Sequence, residues 1–126
     1  MKQITEDYCS FEVAQLLKEK GFDESVNRFY ETSTGKPLLV RCEYCRNSFT
    51  IDYAAPTLQM VLKWLREVHN IFIDIMTYTT GSKIQFRWVG YDKGRLFSQE
   101  EGRTIYFDSY EEAVEAALLY VLKNLI

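Results

Sequence analysis

Residues 54–75 read AAPTLQMVLKWLREVHNIFIDI, and this stretch decides the fold. Leu58, Val61, Leu62, Leu65 and Val68 recur at i, i+3, i+4, i+7 and i+10, an apolar stripe at helical period. Lys63, Arg66 and Glu67 lie off that stripe. Pro56 suits a first helical turn, where no backbone donor is needed, and Thr57 competes as the N-cap. Asn70 takes the left-handed conformation that ends helices. The period then changes from 3.6 to two. Ile71, Ile73 and Ile75 alternate with Phe72, Asp74 and Met76, the pattern of a half-buried strand.

Working outward, residues 10–20 predict a first helix. Ser10 is its N-cap, Val13, Ala14, Leu16 and Leu17 its inner face, and Gly21 its stop, with Phe22 packing back on Leu17. Residues 29–30 and 38–40 predict two short strands around a turn at 32–37. Phe49, Ile51 and Tyr53 alternate, as a third strand or as an extended lead into the central helix. After the central helix, 71–78 and 84–91 predict a hairpin closed by Thr79-Thr80-Gly81-Ser82. Asp92-Lys93-Gly94 is a second turn. A polar loop at 98–103, with Glu100 and Glu101 solvated, leads to a last strand at 104–107. Ser109 and Glu112 form a capping box ahead of a closing helix, in which residues 116–122 are all apolar. These elements predict an α+β fold, with three helices packed on one face of a small, mainly antiparallel sheet. A chain of 126 residues is expected to form one domain over 1–126.

The segment from Ala55 to Ile75 resembles small proteins encoded by gut Bacteroidales and their prophages. The closing Tyr110-Glu111-Glu112-Ala113-Val114-Glu115-Ala116-Ala117 and the opening residues 11–24 share that likeness. The family has no assigned activity, so the resemblance implies a bacterial or phage cytosolic setting and no site residues. Arg41-Cys42-Glu43-Tyr44-Cys45-Arg46 lies outside the resemblance.

Composition narrows the classes further. Hydrophobic residues make up 47% of the chain, which excludes disorder as its main state. Nine Tyr and eight Phe point to sheet faces or interfaces, where one end of the ring is dry and the other wet. A net charge of −3 argues against a sequence-independent hold on nucleic acid, and Glu43 interrupts the modest basic patch of Lys36, Arg41 and Arg46. Residues 1–7 are polar and predict no secretory leader. No window is apolar enough for a membrane span. Three cysteines, an odd count, are read as reduced thiols of a cytoplasmic chain.

Chemistry-bearing motifs are sparse. Cys42 and Cys45 form a C-x-x-C that grips zinc only with two further ligands, for which Cys9 and His69 are the candidates. A thiol-dependent role needs a helix start to lower the first thiol's pKa, and none follows. Thr34-Gly35-Lys36 lacks the earlier glycine and later hydroxyl of a phosphate loop. His69 at a helix end reads as structural unless the fold brings a cysteine to it. Glu111, Glu112 and Glu115 favour the dipole at a helix start, and Trp64 and Trp88 read as core. No catalytic residue or resident cofactor is therefore expected. The leading expectation is a non-enzymatic, prophage-associated module with a protein partner, binding through Phe72, Tyr78, Arg87 and Tyr91. A two-fold dimer is expected from the unbroken apolar run of the closing helix. The alternatives are a metal- or thiol-dependent protein using Cys42 and Cys45, and an enzyme with a site near His69.

Overall fold

The computed structural model describes residues 2–99 and 104–126. Its elements are α1 (Phe11–Glu19), β1 (Val26–Glu31), β2 (Leu38–Cys45), β3 (Tyr53–Ala54), α2 (Leu58–His69), β4 (Ile71–Thr80), β5 (Lys83–Asp92), β6 (Arg95–Phe97) and α3 (Tyr110–Asn124). The class is α+β. The strands are divided between two antiparallel three-stranded sheets, ordered β2-β1-β3 and β4-β5-β6. The chain forms two compact units, Met1–Leu58 with Leu122–Ile126, and Gln59–Val121.

In the first unit, α1 begins and ends where local chemistry dictates. Ser10 Oγ accepts a hydrogen bond from Val13 N at 3.2 Å, satisfying one of the free donors of the first turn. Gly21 has φ 90°, a conformation that costs glycine nothing. It lets Gly21 N donate to Lys18 O and Phe22 N donate to Leu17 O, so the last carbonyls are paired. Val13, Ala14, Leu17 and Phe22 are fully buried. The ring of Phe11 meets Tyr30 and Tyr53 edge-on, with centroids 5.5 and 5.4 Å away.

The alternation of Phe49, Ile51 and Tyr53 does not make a full strand. Asn47–Phe49 is a 3-10 turn, β3 is two residues long, and Ile51 is 94% exposed. A distant lysine explains this. Lys18 Nζ donates to the carbonyls of Thr50 and Asp52 at 2.8 and 2.6 Å, and the Asp52 carboxylate accepts from Thr32 N and Oγ1. Asn47, buried, donates to Phe22 O at 2.8 Å and accepts from Ala54 N at 2.9 Å. The segment is held by side chains rather than by a ladder.

In the second unit, α2 follows Thr57 and ends at Asn70, whose φ is 56°. Val61, Leu62 and Leu65 are buried as the stripe predicts, but Val68 is 58% exposed and Trp64 takes its place inside. β4 and β5 pair without a break from Ile71↔Asp92 to Thr80↔Lys83, so Gly81-Ser82 is a two-residue hairpin turn with Gly81 at φ 63°. The third strand of the meander is β6 rather than residues 104–107. Lys93 and Gly94 both have positive φ, which turns the chain at once into β6. Phe107 adds a single bridge to Phe86. Expectations for Glu100 and Glu101 lie outside the described residues.

α3 starts at Ser109, whose Oγ accepts from Glu112 N at 3.1 Å. Ala117, Leu118, Val121 and Leu122 are fully buried, and Ala116, Leu119 and Tyr120 are half-buried. The apolar run therefore leaves no exposed patch, and the expected reason for dimerisation through α3 falls away. Tyr120 lies against Trp88 and Phe97 of the meander, with centroids 5.5 and 6.0 Å away.

Candidate functional site

The register of the second sheet sorts its side chains into two faces. Ile71, Trp88, Gly90 and Phe97 belong to the face that α3 covers through Tyr120. The opposite face carries Phe72, Asp74, Met76 and Tyr78 from β4, and Tyr91, Val89, Arg87 and Gln85 from β5. Phe72, Tyr78, Arg87 and Tyr91, singled out from the sequence, all lie on this second face.

The four do not form one cluster. Phe72 stands directly opposite Tyr91, and Tyr91 directly opposite Leu96, making an apolar row across all three strands. Their exposures are 44%, 37% and 66%, so the row is open to solvent. Further along, Arg87 Nη1 donates to Tyr78 Oη at 3.4 Å, and the guanidinium lies 5.9 Å from the Tyr78 ring centroid. Tyr106 meets Tyr78 edge-on at 5.4 Å. The face thus has an apolar end and an aromatic–cationic end, with Asp74 exposed between them.

Leu96 and Tyr106 were not anticipated. The signal for Leu96 was present: Asp92-Lys93-Gly94 is a turn of the kind that reverses a strand, so residues directly after it return along β5. Tyr106 had no such signal, because its place depends on the Phe86↔Phe107 bridge.

At the sheet end, Asp108 accepts from Gln85 Nε2 at 3.3 Å and pairs with Lys83 at 3.4 Å. The Gln85 hydrogen bond first, and then Lys83, hold the Asp108 carboxyl below its usual range. In the first unit, the amide of Ser48 donates to Asp23 at 2.8 Å and Arg46 lies 3.5 Å away; the Ser48 backbone bond is the main cause that lowers the Asp23 pKa.

The other candidates sit elsewhere. The reading of Cys42 and Cys45 as reduced thiols is corrected, since the two are joined as a disulfide with Cα atoms 6.0 Å apart. The cause is a bulge. β2 takes four residue steps from Arg41 to Cys45 while β1 takes two from Val26 to Arg28, and Tyr44 adopts φ 56° between the cysteines. A disulfide offers no thiolate to a metal. Cys9 is buried and is not part of the disulfide. His69 belongs to the second unit, its ring edge-on to Trp64 at 4.6 Å, with Nε2 buried and unpaired among the described residues. Glu111 and Glu112 are exposed in the first turn of α3. Among the described residues, no three His, Cys, Asp or Glu side chains gather as a metal-holding group, and no helix is long and apolar enough to cross a membrane. The chain matches no family model, no curated protein and no solved structure.

Proposed function

We propose that this chain is a non-enzymatic interaction module that binds a protein partner through the open face of its second sheet. The observation that carries the reading is the cross-strand row Phe72, Tyr91 and Leu96, exposed beside the Arg87–Tyr78 pair. Aromatic residues, Met and Arg are the types enriched at protein interfaces, and an apolar row rimmed by polar groups is a usual contact surface. Held on a sheet rather than on loops, these side chains lose little freedom on binding, which favours affinity. The mixed charge of the face, with Asp74, Arg87 and Lys83 following one another along its length, suits a protein surface better than a phosphate backbone. The resemblance of residues 11–24, 55–75 and 110–117 supports a cytoplasmic setting in a Bacteroidales host that carries the prophage.

The test is capture of a partner from such a host with the wild-type chain and with Arg87→Glu and Leu96→Glu. A partner held by the wild type and lost by both variants, with thermal melts unchanged, supports the reading. Equal capture by all three overturns it, as does turnover of a small substrate that is lost on changing His69.

A further inference from the structure

The two sheets treat their outer edges differently. In the first, the outer strand β2 carries Arg41 and Glu43, its pairing shifts beside Arg28, and Tyr44 breaks the extended backbone. Charges and bulges are the usual devices that stop an edge from recruiting another strand. In the second sheet, β6 is three residues long. The remaining edge, β4, is ten residues long and has no bulge. It holds no proline, lysine or arginine, its register with β5 never shifts, and its single charge is Asp74. Among the described residues, no backbone hydrogen bond outside the ladder involves Ile71–Thr80.

We infer that β4 pairs antiparallel with β4 of a second copy of this chain, about a two-fold axis at Ile75, so that two sheets become one. The backbone limits the registers. Alternate residues of an edge strand turn their N–H and C=O outward, so an antiparallel copy joins only where residues of like parity are opposed. Among those registers, Ile75 against Ile75 keeps residues 71–79 in the ladder. It sets Phe72 opposite Tyr78 of the second copy, and by symmetry does so twice. Aromatic cross-strand pairs of this kind stabilise a sheet. The neighbouring register, Met76 against Met76, leaves Phe72 opposite Thr80.

Charge selects the same register and the same occupant. Asp74 falls opposite Met76 of the second copy, in the row that continues to that copy's Arg87, because Met76 and Arg87 are paired within each chain. No like charges are opposed along the strand. On the other side, Ile73 meets Thr77 and Ile71 meets Thr79, β-branched residues that suit a pleated surface. The strand is thus complementary to itself. The pairing needs no outside partner, so it stands or falls separately from the proposed binding face.

The experiment is sedimentation of the full chain at micromolar concentrations. A mass of twice 14.9 kDa is expected, with Phe72→Glu and Asp74→Lys each weakening the dimer tenfold or more while the melt is unchanged. An Ile75→Cys chain should cross-link to its twin on mild oxidation, whereas Phe72→Cys, opposed by Tyr78, should not. A monomer at every concentration overturns the inference, even one that takes up an extended peptide at this edge. A dimer that ignores both charge variants and fails to cross-link through position 75 overturns it equally.

Discussion

The ring of Phe97 lies directly over Gly90, so that a Cβ built on Gly90 would fall 2.6 Å from both Cε atoms. The two residues are cross-strand partners, and the ring fills the space a side chain would take. Phe97 is itself held by Tyr120, nearly parallel at an interplanar angle of 13°. Gly90→Ala should therefore destabilise the protein by about 1–3 kcal/mol, the cost of overpacking a filled site. Phe97→Ala should make that change nearly neutral. A double-mutant cycle in denaturant melts measures the coupling, and additive effects would show that the ring moves aside freely.

Leu65 is fully buried in α2. Leu65→Ala should cost about 2–5 kcal/mol by chemical denaturation, from lost apolar burial and the cavity left behind. Val68→Ala, on an exposed position of the same stripe, should change stability by less than about 0.5 kcal/mol.

Ser109→Ala removes the acceptor for Glu112 N. Loss of such a cap costs about 0.5–2 kcal/mol, while Ser109→Asp should retain most of the stability because a carboxylate serves the same donor and the same helix end. Thermal melts of the three chains decide the ranking.

The lowered pKa of Asp23 gives a pH dependence of fixed sign. A carboxylate whose pKa is depressed on folding adds stability that is fully present above its unfolded value, about 3.9, and lost as pH falls through the lower folded value. Asp23→Asn should thus be less stable than wild type near neutrality. Its deficit should shrink below pH ~4, as wild-type Asp23 takes up its proton. A deficit that stays constant from neutral to acid pH would mean that the lost stability does not come from the ionised form of Asp23.

Thiol counting separates the cysteines. The native chain should show no accessible thiol, since Cys42 and Cys45 are paired and Cys9 is buried. Unfolding without reductant should expose Cys9 alone. Two more thiols should appear only after reduction.

The sequence by itself determined those features whose causes lie within a few residues. The Ser10 and Ser109 caps, the turn at Gly21, the left-handed Asn70 and the Lys93-Gly94 reversal each depend on local donors, acceptors and φ preferences, and each was legible. So was the period-two face that carries Phe72, Tyr78, Arg87 and Tyr91, because strand alternation and a tight hairpin set the register together. Only the tertiary structure decided the rest. Whether Phe49 and Ile51 pair or stay open depends on Lys18, distant in sequence, taking the carbonyls of Thr50 and Asp52. The Cys42–Cys45 disulfide depends on a bulge set by pairing with β1. The strands' division between two sheets, and the burial of Trp64 in place of Val68, likewise rest on contacts between residues far apart in the chain. Local propensity is blind to such contacts, because their free energy exists only once the distant partners have met.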